Sequence, residues 1–151
     1  MENIREQLIK VYAQTNQFGH LLGTELVRFE EDGITYRLEI SDKHLATPTT
    51  AHGGVLSAYM DGILGVAALH ASSERGCLVS TVEFKINYLK PVRKGEVLIG
   101  KGKVISRGKR IIISQGEIIN EETGEQVAIA MGTFNAYPYQ KSGMVMSDFD
   151  L

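Results

Sequence analysis

One cysteine, Cys77, stands among 151 residues, so no internal disulfide framework holds the fold. A lone thiol fits a reducing compartment, and the cytoplasm is the expected location. Charge of one sign is equally scarce: 16 basic and 18 acidic residues leave a net charge of -2, which argues against the global positive field of a nonspecific nucleic-acid or anionic-membrane binder. The most apolar stretch, Val55 to Leu69, carries Asp61 and falls short of the roughly 20 residues of a membrane helix, so no membrane span is expected. MENIREQLIKVYAQ has acidic residues early and lacks the basic start, apolar core and small-residue cleavage site of an export signal. GKGKVISRGKR lacks the ordered glycine and lysine spacing of a phosphate-binding loop. His20, His44, His52 and His70 make no recognised ligand motif, so no metal and no separate cofactor is expected.

With 43% hydrophobic residues the chain can bury one sizeable core and is too short for two ordinary domains, so residues 1–151 are read as a single domain. Ile4, Leu8 and Val11 recur at helical spacing behind Asn3, which stands three residues before Glu6 as in a capping box; an N-terminal amphipathic helix is predicted. NQFGH breaks that pattern. From Leu22 to Ile40 the alternation of Leu26, Ile34, Tyr36, Leu38 and Ile40 predicts two strands around EEDG, with Gly33 available for the turn. The polar connection SDKHLATPTTAHGG then leads into a long helix whose apolar residues occupy more than one face, as expected of a helix wrapped by other structure. Gly62 and Gly65 within it are read as permitting a close backbone approach.

Four extended segments follow: Leu78 to Leu89, Val97 to Ile105, Arg110 to Asn120 and Gln126 to Tyr137. KPVRKGE, SRGK and EETGE separate them, each with a glycine available for positive φ, and together they read as a four-stranded meander. The fold class is therefore α+β, a curved antiparallel sheet of five or six strands wrapped around a long central helix, with an additional N-terminal helix. Residues 138–151 lack a period and are read as a flexible tail, in which Met144, Val145, Met146 and Phe149 can dock on a subunit surface.

Chemistry concentrates in TTAHGGVLSAYMDGILGVAALHAS, Thr49 to Ser72. A carboxylate among apolar side chains is costly to bury unless paired or hydrogen-bonded. Asp61 therefore either completes a local polar network or acts as a base or nucleophile tuned by its surroundings. His52, Gly53 and Gly54 open the helix, where unsatisfied backbone N–H groups at the positive end of the dipole stabilise an oxyanion and glycine lets a carbonyl compound approach. His52 offers a donor, for a substrate or for an ordinary structural bond. Asp61 lies eight positions after Gly53. An intact helix separates their backbones by about 12 Å, beyond the reach of one side chain to one carbonyl. If both serve one reaction, Asp61 comes from a second subunit, and two antiparallel helices across a two-fold axis make two equivalent composite sites.

AHGGVLSAYMDGILGVAA followed by VSTVEFKINYLKPVRKGE resembles the hotdog-fold acyl-CoA thioesterases, especially the group of the phenylacetate-pathway enzymes and thioesterase superfamily member 2. The resemblance covers Leu21 to Tyr137 and is most specific from Ala51 to Glu96. It implies the hotdog fold, a homodimer often paired into a homotetramer, and hydrolysis of an acyl-CoA thioester, with coenzyme A as part of the substrate. By the same resemblance Asp61 is the base or nucleophile, Gly53 supplies the N–H that polarises the thioester carbonyl, His52 is a helping polar residue, and Thr81 orients water or the carboxylate. The family's frequent asparagine, six residues before the histidine, is Ala46 here; Thr47, Thr49 and Thr50 stand beside it and, with Gly54, are candidate substrate contacts. Lys90, Arg93 and Lys94, and further on Arg107, Lys109 and Arg110, are candidate contacts to the nucleotide phosphates. Two other readings stay open: a noncatalytic acyl-CoA-binding or regulatory domain, and an acyl-thioester dehydratase or hydratase, which needs a histidine placed to move a proton.

Overall fold

Alternating apolar side chains line one face of every strand but the first, and that face closes over the central helix. In the computed structural model, which describes residues 3 to 148, β1 (Glu25–Phe29) and β2 (Gly33–Glu39) precede the helix. β3 (Cys77–Tyr88), β4 (Val97–Arg107), β5 (Ile111–Asn120) and β6 (Gln126–Pro138) follow it. All pairings are antiparallel, and the lateral order is β1-β2-β4-β5-β6-β3. Ile34, Leu38, Leu98, Ile112, Ile118 and Phe134 from the inner face are buried with Met60, Ile63, Leu64 and Ala67 of the central helix α3 (Gly53–Ser72). By length and composition the helix from Gly53 to Arg75 passes as a membrane span, but its apolar side chains are those that fill this core.

The later strands do not form the simple meander expected. β3 pairs with β6, setting Cys77 opposite Pro138 and Tyr88 opposite Ala128, while β4 pairs with β2. The connection KPVRKGE explains the crossing. Instead of folding β4 back on β3, its backbone bonds to the segment that precedes α3: Gly95 N–H to Ile40 O, Lys94 N–H to Thr49 O, and Val92 O from Ala51 N–H. β3 is thereby left as one edge of the sheet and β1 as the other.

Close approach of α3 to the sheet requires glycine at two positions of β4. A Cβ at Gly100 would fall 2.2 Å from Ile63 Cδ1, and one at Gly102 would fall 2.7 Å from Ile63 O. Ser114 of β5, fully buried, donates its hydroxyl to Leu64 O at 2.9 Å and so satisfies the one polar group it brings under the helix. Other glycine expectations change. Gly33 lies inside β2 at ordinary φ and is needed because a Cβ there would meet Gly102 O at 2.3 Å. Gly95 and Gly124 take positive φ, 87° and 73°, but Gly108 does not. Gly65 meets the Phe134 ring, whereas a Cβ at Gly62 meets nothing within 4 Å.

At the N-terminus, α1 (Ile4–Thr15) is capped by Asn3, whose Oδ1 accepts from Glu6 N–H at 3.0 Å, and it buries Leu8 and Val11. NQFGH is more than a break: it lies in a second helix, α2 (Gln17–Leu22), capped by Asn16 and ended by Gly23 at φ 82°. Six residues are too few to display a helical period, so only the caps announce it. Beyond β6, Met144 and Met146 pack on the small cluster of Leu8, Leu69 and Leu78, so this chain itself covers their apolar surface. Phe149 lies outside the described residues.

Candidate active site

The helix start is held by a histidine that the sequence reading left unassigned. His44 is buried; its Nδ1 accepts from Ser41 N–H at 2.9 Å, which leaves Nε2–H to donate to Leu22 O at 2.7 Å. His44 O then accepts from His52 N–H at 2.8 Å. One histidine, through its ring and its backbone carbonyl, therefore ties α2, the connection and the residue that caps α3.

His52 is that cap. In extended geometry, φ -68° and ψ 136°, it turns Nδ1 back to accept from Gly54 N–H at 2.7 Å. The neutral ring keeps its proton on Nε2, an exposed donor. Val55 N–H is taken by His52 O. Among the described residues no acceptor takes the Gly53 N–H, so it is the free donor at the positive end of a 20-residue helix. Gly54 keeps its closeness to the site, but its N–H is engaged.

Tyr88, at the end of β3, covers this turn. Its hydroxyl donates to Gly53 O at 2.9 Å, and with that proton committed it accepts from Ser57 Oγ, one turn along the helix. The ring lies beside Gly53: a Cβ there would contact Tyr88 Cζ at 3.6 Å. Nothing in the local sequence announces this contact, because 35 residues separate the partners.

Two turns further along α3, Asp61 Oδ1 accepts from Thr81 Oγ1 at 2.7 Å. A β-bulge between Thr81 and Glu83 shifts the β3–β6 register directly after the threonine, a device that re-aims side chains at sheet edges. Asp61 and Thr81 line a cavity of about 320 Å³ with Tyr12, Gly62, Leu69 and Phe134. Burial, then the Asp61 charge, raise the proton affinity of the Tyr12 phenol, which therefore stays protonated. One chain thus forms two clusters: Gly53 with His52 and Tyr88, and Asp61 with Thr81 and Tyr12. The helix rise holds their backbones about 12 Å apart.

Thr47, Thr49 and Thr50 lie on the connection that leads into the first cluster, and Arg93 and Lys94 pair with it through their backbone. Thr47 and Thr50 hydrogen-bond to each other through their hydroxyls, and Thr47 Oγ1 also accepts from Thr49 N–H and Thr50 N–H, so these threonines shape the tight turn before α3. Thr50 bridges Arg93, which brings KPVRKGE alongside. Lys90 is paired with Glu125 and Lys94 with Asp42. Among the described residues, the Arg93 guanidinium has no carboxylate partner, while the Arg93 backbone N–H donates to Glu96 Oε2. Arg107 is paired with Asp32 and, with Lys109, lies beside Ala71, Glu74 and Arg75 at the opposite end of α3 from Gly53.

The thioesterase superfamily profile matches residues 49–127, a span that holds His52, Gly53, Asp61, Thr81 and Tyr88. The chain belongs to the thioesterase superfamily. Human acyl-coenzyme A thioesterase 13 is 27% identical over 128 residues, covering 84% of this chain and 89% of the relative. Among solved structures, the Escherichia coli PaaI protein from the phenylacetic acid degradation operon superposes with a TM-score of 0.78 at 20% identity, over 88% of this chain and 93% of that one. This confirms the hotdog fold. A Streptococcus mutans protein solved with acetyl-CoA bound superposes with a TM-score of 0.67 at 26% identity, over 76% of this chain and 89% of that one.

Proposed function

We propose that this thioesterase hydrolyses acyl-CoA thioesters to a carboxylate and free coenzyme A, at composite sites in which Gly53 of one subunit faces Asp61 of the other. The observation that carries the reading is the free Gly53 N–H at the start of α3, with the only carboxylate of that helix eight residues away and hydrogen-bonded to Thr81. The Gly53 N–H polarises the thioester carbonyl and holds the oxyanion, and the Nε2–H of His52 gives a second contact. The partner's Asp61, oriented by Thr81, takes a proton from water as the hydroxyl adds to the acyl carbon; the C–S bond breaks with its electron pair on sulfur, and the proton passes to the thiolate. Direct attack by the same carboxylate, followed by hydrolysis of the anhydride, uses the same placement. Isotope from labelled water entering Asp61 in a single turnover distinguishes this second route.

Self-association as a homodimer is supported by β3, a 12-residue edge strand that presents Val82 and Tyr88, 58% and 49% exposed. Pairing of dimers into a tetramer is a further step. Arg93 is the strongest candidate for the nucleotide phosphates, since Lys90 and Lys94 already hold carboxylates. The free thiol of Cys77 fits work in the cytoplasm. A dehydratase or hydratase needs a histidine free to move a proton; His52 commits Nδ1 to Gly54 and His44 commits both nitrogens, which favours hydrolysis.

Thiol release from a panel of acyl-CoAs tests the proposal. Turnover by the wild type that is lost in Asp61→Asn supports it. Saturable acyl-CoA binding with no turnover overturns it in favour of a binding module, a reading to which Ala46, in place of the family's frequent asparagine, lends its support.

A further inference from the structure

Two cavities flank Asp61. The larger, about 320 Å³, is bounded by Leu69, Leu78, Val79 and Phe134. The smaller, about 80 Å³, lies against α2 between Phe18, Leu22, Tyr36 and Tyr59. Three residues line both: Asp61, Gly62 and Tyr12. Gly62 has no side chain, and a Cβ there would meet nothing within 4 Å, so α3 leaves the passage beside Asp61 open. Of the shared residues only Tyr12 brings a bulky group to that passage, and it comes from α1, outside the span matched by the superfamily profile.

Tyr12 is firmly seated. It packs against the main core and also against the small cluster of Leu8, Leu69 and Leu78, so its ring is held from two sides. Among the described residues no acceptor takes its hydroxyl, although the group lies near enough to feel the Asp61 charge, so packing of the ring rather than a hydrogen bond holds Tyr12 in place.

We infer that Tyr12 is a specificity-determining residue for the acyl group, its ring walling the larger cavity from the smaller so that one slender apolar chain lies against Leu69, Leu78 and Val79 and groups needing both spaces are excluded. This rests on the hydrolase reading of Asp61. A thioester carbonyl within reach of Asp61 directs its acyl group into whichever neighbouring space is open, and apolar walls discriminate by volume and shape.

The experiment measures kcat/KM for straight-chain acyl-CoAs from acetyl to palmitoyl, together with branched and arylacetyl thioesters. Tyr12→Ala joins the cavities and raises the ratio for the longest and bulkiest substrates over acetyl-CoA by about tenfold or more. Tyr12→Phe keeps the ring and the wild-type ratio. Tyr12→Leu, which retains apolar packing, shifts the ratio in the same direction as Tyr12→Ala and carries the test if the alanine variant does not fold. A uniform fall across the panel in a folded Tyr12→Ala or Tyr12→Leu overturns the inference, because a purely structural role lowers all substrates together. An equal shift in Tyr12→Phe also overturns it, by assigning the effect to the hydroxyl. Absence of thiol release by the wild type overturns the hydrolase reading and this inference with it; release with an unchanged ratio in the variants overturns the role of Tyr12 alone.

Discussion

Thr81 donates its hydroxyl to Asp61 across 2.7 Å, from the last regular position of β3 before its bulge. A hydrogen bond to a charged group contributes about 1.5–3 kcal/mol, and here it also fixes which carboxylate oxygen remains free. Thr81→Val removes the donor and keeps the shape. The expected result is a fall in kcat of about ten- to a hundredfold with KM little changed, whereas Asp61→Asn falls by about a hundredfold or more. Steady-state thiol release measures both. A Thr81→Val enzyme with wild-type kcat assigns the bond to structure alone.

Tyr88 should act through Gly53 rather than on substrate. Its hydroxyl holds Gly53 O and accepts from Ser57, restraining the turn that presents the free N–H. Tyr88→Phe loses a neutral hydrogen bond, so kcat should fall about two- to tenfold. The melting temperature should move by only a few degrees, since the ring remains against the helix. Tyr88→Phe with unchanged kcat and a lowered melting temperature assigns the contact to helix stability.

His70 gives the fold an acid-sensitive point away from the active site. Its Nε2 lies 3.1 Å from Glu30 O, its ring stacks on Phe29, and Nδ1 is buried with no partner among the described residues. Burial, then the charge of Arg5, lower its proton affinity below the ordinary 6.5, so the native ring stays neutral where the unfolded ring takes up a proton. Stability from this group is therefore full above pH 6.5, falls as the pH drops from there to the lowered native value, and levels off below it. One proton sets the slope at no more than about 1.4 kcal/mol per pH unit. Denaturant unfolding of wild type and His70→Gln over this range should show the smaller slope in the variant; parallel curves place the titrating group elsewhere.

Periodicity in the sequence reports which face of an element is buried, and that is enough for the inner face of β2; α3 is legible instead from apolar residues on more than one of its faces, and the two together give the α+β class. Neither pattern reports which strand lies beside which. β3 and β6 pair across 37 intervening residues, because KPVRKGE bonds to the connection before α3; only that tertiary contact reverses the expected meander. The site divides in the same way. His52, Gly53 and Asp61 share one helix, so their spacing and the misfit between them could be read directly. Tyr88 and Tyr12 reach those residues from 35 and 49 positions away, and a tyrosine in a strand or an amphipathic helix carries no mark of its partner. The bulge beyond Thr81 is similarly silent, since it depends on the register of β6.

The composite site is open to a complementation experiment in which each subunit lacks a different half. Gly53→Pro deletes the free N–H at the first helical position, where helices accept proline readily, and His52 already has the extended geometry that proline imposes on the residue before it. Losing such a donor lowers kcat by about a hundred- to a thousandfold. Asp61→Asn removes the carboxylate instead. In an equimolar, fully exchanged mixture, half the dimers are mixed, and each mixed dimer has one intact site, with Gly53 from the Asp61→Asn chain and Asp61 from the Gly53→Pro chain. Activity should recover to about a quarter of wild type. If Gly53 and Asp61 of the same chain worked together, a mixed dimer would contain no intact site and activity would stay at the level of the separate variants. Subunit exchange, verified by mass spectrometry of differently tagged chains, makes that second outcome decisive against the shared site.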